Sequence, residues 1–312
     1  MNYKNILIFL SVLISVVLSQ PSDLYLYTTT PQGYWKITRI NISTGTITNS
    51  TTSLIANNYI FTQFLEVNSD GDLVFLGLSE GKTAYCTYSI TAVGNYVNTS
   101  QSTKVLKTGS FSMFDSSIVY DNARNSVYFA ADLLTREIIF VYDFETPSSY
   151  MVKLSVPVNM SPTGAFDGQD TYYLLESLND EISNFTLYSY NFETKTESKP
   201  LNLINFPKNS TTFLFYANDH LYAATYNNSA PDQLALVYID VTTGDCITTY
   251  TFYETGMPYS INYWTYSNYF VLMTQTDGKY FLTTLNLNDN TYTTTQIYGN
   301  FPQYPILSAL IY

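Results

Sequence analysis

Histidine is almost absent from this chain: among 312 residues there is one, His220. A lone imidazole cannot build a His-based metal cluster, and no second histidine exists for a charge-relay pair. His220 therefore reads as a packing residue between the Asp219 turn and the strand that follows. Basic residues are also scarce, with 13 Lys and Arg against 25 Asp and Glu, for a net charge of −12. They are scattered, and without a basic patch a nucleic-acid partner is excluded. Two cysteines, Cys86 and Cys246, allow one disulfide at most and no disulfide scaffold. A chain of this length can bury a large core without such staples. Beyond Leu18 no run is long and apolar enough to cross a bilayer, so no membrane span is expected.

The N-terminus carries the one apolar run of note. Lys4 supplies a positive start, Ile6 to Leu18 form a short apolar stretch, and Val17 and Ser19 occupy the −3 and −1 positions of a cleavage site. Residues 1–19 are thus expected to be a secretory signal peptide, leaving 20–312 as one secreted, extracellular domain. Seven Asn-x-Ser/Thr triplets follow, at Asn41, Asn49, Asn98, Asn159, Asn184, Asn209 and Asn227. A composition this rich in Asn, Ser and Thr produces several such triplets by chance, so their weight comes from the leader. Together they make a glycoprotein the expectation.

What the chain has in abundance is Tyr, at 31 residues, with Phe, Val, Ile and Thr in short runs between Gly, Asn and Asp turns. No helical spacing is sustained, which is the all-β signature. One strand recurs: Leu24 to Tyr27, Leu73 to Leu76, Val127 to Ala130, Tyr172 to Leu175, Leu221 to Ala224 and Phe270 to Met273. The steps between successive first residues are 49, 54, 45, 49 and 49. A second marker keeps the same beat, a turn beginning at Asn41, Ser89, Asp143, Asn191, Asp240 and Asn286. Short polar side chains there accept bonds from backbone N–H groups two residues on, and Gly supplies the left-handed conformation.

Each unit reads as strands a to d. The fifth shows it as Thr212 to Tyr216, a turn at Asn218-Asp219, Leu221 to Thr225, a loop through Pro231, Leu234 to Ile239, and Cys246 to Tyr250. A four-stranded sheet cannot bury both faces alone, so neighbours must stack face to face, and a ring satisfies all six. The first unit lacks strand a, and Ile306 to Ile311 is an orphan strand at the other end. The fold expected is therefore an all-β, six-bladed β-propeller with four antiparallel strands per blade, closed by the C-terminal strand in the first blade. The repeat resembles the generic propeller pattern of a strand, an acidic turn, a Tyr/Val strand and an Asp-x-x-Thr-Gly turn. It carries no WD dipeptide, no kelch double glycine and no sialidase Asp box, so the resemblance transfers no residue roles.

Carboxylates at the a–b turns (Asp70, Asp121, Asp167, Asp170 and Asp219) should ring one face. Turn chemistry explains their spacing, and a blade-to-blade ring is too wide for one ion, which needs six or more oxygens at one point. No cofactor is expected; calcium is possible, without named ligands. Cys86 and Cys246 fall on opposite blades, too far apart for a disulfide, so both should be free thiols packed as small hydrophobes.

At the face carrying the b–c and d–a loops, Tyr34, Trp35, Tyr259, Tyr263, Trp264, Phe301 and Tyr304 gather near the seam of blades 6 and 1. Asn159, Asn184, Asn209 and Asn227 lie on the same face at blades 3 to 5. Such aromatics suit a sugar or peptide surface or, more plainly, packing between blades. Two function classes remain. The first is a secreted, non-enzymatic glycoprotein binding a carbohydrate or extracellular protein through one propeller face. The second is a calcium-assisted hydrolase, lactonase- or esterase-like, with its site in the central channel.

Overall fold

The computed structural model describes residues 20–29, 34–55, 60–67, 73–78, 84–93, 96–107, 112–121, 124, 126–133, 136–143, 148–155, 162–177, 184–227, 229–253, 263–266, 268–299 and 307–311. Residues 1–19, expected to be a signal peptide, and Asp70, Asn159, Tyr259, Phe301 and Tyr304 lie outside them. The described chain is all-β apart from a single-turn 3-10 segment, Asp115–Ser117, and its strands form six antiparallel sheets.

The first sheet contains β1 (Asp23–Thr29), β2 (Tyr34–Asn41) and β3 (Ile47–Ile55). The second contains β4 (Ile60–Val67), β5 (Leu73–Leu78), β6 (Ala84–Val93) and β7 (Tyr96–Lys107). In the third, two short strands, β8 (Ser112–Met113) and β9 (Val119–Asp121), share the place of strand a. They are followed by β10 (Ser126–Leu133), β11 (Arg136–Asp143) and β12 (Ser148–Lys153). The fourth runs through β13 (Thr163–Phe166), β14 (Thr171–Ser177) and β15 (Phe185–Asn191), with an outer edge split into β16 (Thr196–Glu197) and β17 (Leu201–Asn202). The fifth holds β18 (Ser210–Ala217), β19 (His220–Asn227), β20 (Ala230–Ile239) and β21 (Cys246–Phe252). The sixth holds β22 (Tyr263–Tyr266), β23 (Tyr269–Thr276), β24 (Lys279–Asn286) and β25 (Tyr292–Gln296). The last strand, β26 (Leu307–Ile311), pairs antiparallel with β1, Asp23 opposite Ile311 and Tyr27 opposite Leu307, and so supplies strand a of the first sheet.

The second strand of each sheet contains one of the recurring core segments, and in the fifth and sixth sheets it is buried on both faces. In β19, Leu221 and Ala223 pack toward the fourth sheet, while Tyr222 and Ala224 pack toward the sixth. In β23, Phe270 and Leu272 face the fifth sheet, and Val271 and Met273 face the first. This is why the segments read as continuous apolar runs rather than as a strict alternation. The core is accordingly a series of seams between sheets.

The inner strands follow one another from sheet to sheet: β26 lies beside β4, β4 beside β9, β9 beside β13, β13 beside β18, β18 beside β22, and β22 beside β26. Thr163 links three of the sheets. Its hydroxyl donates to the Ser116 carbonyl at 3.2 Å and accepts the Leu214 N–H at 2.9 Å. The Tyr172 hydroxyl donates to the Ser117 carbonyl at 2.8 Å, crossing Gly164. A Cβ at Gly164 would come within 2.1 Å of that hydroxyl oxygen, so only glycine fits beneath it.

The marked turns also explain themselves. After Asn41, Asn191, Asp240 and Asn286, the fourth residue on (Gly45, Lys195, Gly244 and Asn290) adopts positive φ, between 57° and 80°. The side chain at the first position accepts a following backbone N–H: Thr44 onto Asn41, Thr194 onto Asn191, Thr242 onto Asp240 and Asn288 onto Asn286. At Gly45 and Gly244 the turn does more than reverse the chain. Tyr298 donates its N–H to the Gly45 carbonyl, and Ile204 to that of Gly244, so each turn holds the tail of the preceding sheet.

Three details depart from expectation. Ser89 does not begin a turn but lies within β6, which continues to Val93 opposite Tyr96. β-Branched residues on both sides let this hairpin extend further. Pro231 lies within β20 rather than in a loop; the pairing shifts between Tyr226 and Asn227, as a proline requires near a ladder. Tyr34, Trp35, Tyr263 and Trp264 are strand rather than loop residues, opening β2 and β22.

Candidate functional site

The sheets have two ends. One carries the a–b and c–d turns; the other carries the b–c and d–a connections. At the first end, three successive sheets contribute to one open cavity of about 440 Å³. The fourth sheet supplies Phe166, Asp167 and Gly168 from its a–b turn, and the fifth supplies Tyr216, Ala217, Asn218 and Asp219 from the matching turn. The sixth supplies Asn268 and Asn288. None of these lining residues is basic.

Asp167 is held rigidly. Its Oδ1 accepts the backbone N–H groups of Gln169, Asp170 and Thr171 at 2.8, 2.9 and 2.9 Å. One carboxylate oxygen is thereby locked into the turn, and the other carries the remaining accepting capacity. Asp219 is set differently. It is exposed and shares a two-residue hairpin turn with Asn218, both in the left-handed region at φ 58° and 51°.

Such a turn favours Asn followed by Gly. The β23–β24 hairpin follows that preference with Asp277 and Gly278, at φ 50° and 72°. At Asp219 the chain keeps a carboxylate where glycine is the easier residue. Residues held in sparsely populated conformations concentrate at sites of function.

Tyr216 forms the aromatic wall. Its ring stacks on Tyr173, with centroids 6.4 Å apart and planes 5° from parallel. Burial, then the negative charges of Asp167 and Asp219, push the Tyr216 phenol above its ordinary pKa. Burial, then Asp167 and Tyr216, push Tyr173 up to about 12. Both hydroxyls therefore remain protonated near neutrality and can donate. Phe166 stacks on Tyr128 at 4.6 Å and lies under the Arg124 guanidinium at 5.8 Å. At the back, Asn268 is buried; its Nδ2 donates to Asn286 Oδ1 at 2.8 Å, and its own Oδ1 accepts no hydrogen bond.

The carboxylates expected around this face thus separate into two groups. Asp121 and Asp170 are bridged by Arg124, at 3.0 and 2.6 Å, and tie the third sheet to the fourth. Asp167 and Asp219, from adjacent sheets, line one cavity, which is not convergence on a single ion. Among the described residues no group of three or more His, Cys, Asp or Glu side chains could hold a metal ion. His220 packs edge-on against Tyr238 at 5.3 Å and Tyr222 at 6.4 Å. Cys246 is a buried free thiol in the seam of the fourth and fifth sheets; burial, then Asp245, push its pKa up to about 12. Cys86 lies on β6 of the second sheet, so the two cysteines do not bridge.

At the opposite end, Tyr34 pairs with Ile55 and Trp35 with Thr29, while Tyr263 and Trp264 pair with Leu272 and Val271. Asn184, Asn209 and Asn227 are exposed there, and Asn209 Nδ2 donates to Ser229 Oγ at 3.1 Å. Asn98 lies on β7, Asn41 caps its c–d turn, and the exposed Asn49 on β3 accepts the Thr38 hydroxyl at 2.8 Å. The polar cavity was not singled out in the sequence. A signal was present nonetheless in an Asn-Asp pair at a turn that prefers Asn-Gly. No helix among the described residues is long and apolar enough to cross a membrane.

No protein-family model matches the sequence, and no curated protein matches it. Solved structures do match. TolB from Acinetobacter baumannii is 11% identical over 92% of this chain and 68% of its own, with a TM-score of 0.53. A Lactobacillus plantarum protein is 12% identical over 94% and 100%, at 0.54. A Bacteroides uniformis protein provisionally named a 6-phosphogluconolactonase is 11% identical over 93% and 100%, at 0.53. At such identities the likeness is one of fold alone: the chain is similar to β-propeller proteins in general and to no particular family.

Proposed function

We propose that the protein is a secreted, non-enzymatic glycoprotein in which six sheets form the blades of a closed propeller, and that one end of the propeller binds an extracellular partner. The β1–β26 pairing and the returning succession of inner strands support closure. The reading rests on a single observation: a cavity assembled from the turns of three consecutive sheets and lined by carboxylates, amides and a phenol. Small-molecule sites have this form, a concave surface with a few fixed polar groups beside aromatic walls. The exposed triplets at Asn184, Asn209 and Asn227 lie at the far end, where glycans would leave the cavity open. A carbohydrate is the partner this lining favours.

The test is secretion from a eukaryotic host, followed by capture on a glycan array and from extracellular protein mixtures. A mature N-terminus at Gln20, a mass loss on N-glycosidase treatment and capture unaffected by a chelator are the expected results. An unprocessed, intracellular chain would end the secreted reading. Asp167 and Asp219 in one cavity also favour a hydrolase as the second reading, although two carboxylates fall short of the six or more oxygens that calcium takes. Calcium-dependent lactone hydrolysis lost in Asp219→Asn would put that reading first.

A further inference from the structure

We infer that the cavity at the a–b turns of the fourth, fifth and sixth sheets is a binding site for an uncharged mono- or disaccharide, with Asp219 as its principal acceptor. The inference rests on the binding role proposed above and names the ligand class.

Charge narrows the choice first. Two carboxylates and no basic residue among the described lining disfavour phosphorylated or carboxylated sugars, which would enter against like charge. Hydrogen-bonding capacity narrows it further. The carboxylates offer acceptors only, whereas Asn218 and Asn288 each offer an N–H₂ donor beside a carbonyl acceptor. A purely cationic ligand would satisfy the carboxylates and leave the amide donors unmatched. Sugar hydroxyls donate and accept at once, so they can meet both kinds of group.

The Tyr216 ring, backed by Tyr173, provides a flat surface for the C–H face of a pyranose. The volume of about 440 Å³ lies within the roughly 300–1,000 Å³ typical of small-ligand pockets.

One further observation points to a ligand rather than to a gap between turns. Asp219 holds a left-handed conformation at a turn position where glycine is favoured, although its side chain makes no hydrogen bond or ion pair among the described residues. The carboxylate thus has no partner among the described residues at a position that glycine fills with less strain, and the ligand hydroxyls give it one.

The decisive variant is Asp219→Gly, which relieves the turn and removes the carboxylate together. Calorimetric titration of the mature protein should use glucose, galactose, mannose, N-acetylglucosamine, lactose and maltose, with glucose 6-phosphate and 1,4-diaminobutane as charged probes. At least one neutral sugar should bind with one-to-one stoichiometry, and glucose 6-phosphate should bind about ten-fold more weakly or not at all.

Asp219→Gly should lose about ten-fold or more in affinity, the size of a hydrogen bond to a charged group, while melting no lower than the parent. Asn288→Ala should also weaken binding, because the turn uses its backbone N–H and not its side chain. Sugar binding unchanged in both variants would overturn the site. So would tighter binding of the diamine than of every neutral sugar. If no neutral sugar binds while the protein still captures an extracellular protein, the sugar site fails and the binding role stands. If nothing is captured at all, both fail.

Discussion

The end of the sheets that carries the a–b and c–d turns and the end that carries the longer connections solve different problems. At the first, the turns at Asn41, Asn191, Asp240 and Asn286 each combine an accepting side chain with a left-handed residue, and those at Gly45 and Gly244 also hold the tail of the preceding sheet. At the second, Asn184, Asn209 and Asn227 are exposed. The difference teaches that precision is concentrated where a cavity can be built on it. A site lined by side chains from three sheets needs turns that do not wander, whereas exposed asparagines need no such positioning.

The comparison is broken most forcefully at Gly45. A Cβ there would lie 1.8 Å from the Gln296 carbonyl oxygen, at φ 68°. Gly45→Ala should cost about 3 kcal/mol through conformational strain and overpacking together. Gly244→Ala, with its Cβ 2.6 Å from the Asn202 carbonyl oxygen, should cost about 2 kcal/mol. Urea unfolding of both variants checks the size and the order; equal, negligible effects would remove the clasp from the argument.

Acid should act next. Burial raises the Asp23 carboxyl, but hydrogen bonds from Arg39 and Ser22 outweigh it and hold the pKa below its ordinary value. Arg39 bonds it through Nε at 2.9 Å and Nη2 at 2.8 Å. Because the folded pKa is lowered, this pair stabilises above the unfolded carboxylate pKa of about 3.9, and its contribution is lost as pH falls through the folded value. Arg39 is half exposed, so the contribution should be about 1 kcal/mol or less. The stability gap between the parent and Asp23→Asn should be constant from neutrality to mild acid and close below that range. A gap that widens in acid would contradict the sign.

A smaller effect of the opposite sense is expected at Lys195, which holds φ 57° where two sister turns use glycine. Lys195→Gly should stabilise by at most about 0.5–1 kcal/mol, relief of the left-handed backbone being partly offset by the freedom glycine adds to the unfolded chain. Thermal melting measures it, and a lowered melting temperature would mean that the Lys195 side chain matters to the fold. The smallest change should come from the opposite end. Asn184→Gln in unglycosylated protein should alter stability by less than about 0.5 kcal/mol, and a larger loss would erase the contrast between the ends.

Much of this architecture was legible in the chain. The recurring apolar segments coincide with the second strand of every sheet, and five of the six turn marks fall at or just past the end of a third strand. Both signals are local: two-sided burial makes a strand continuously apolar, and a reversal selects short polar residues and glycine within a few positions. Ser89 misled because a polar residue inside a long hairpin looks like the start of a turn. The aromatic cluster drew attention through size. Tyr34, Trp35, Tyr263 and Trp264 nonetheless open strands, where large flat side chains are at home in a sheet of any function.

The sequence by itself determined the strand-and-turn period, the acidic balance and the near-absence of histidine. Each of these depends on composition or on residues close together in the chain. Only the tertiary structure decided that the turns at Asp167, Asp219 and Asn288 share one cavity and that Gly45 meets Gln296. Those meetings join residues far apart in sequence, and the angle at which neighbouring sheets stack sets the distance between them. That angle is the summed result of packing along every seam, which no single segment encodes.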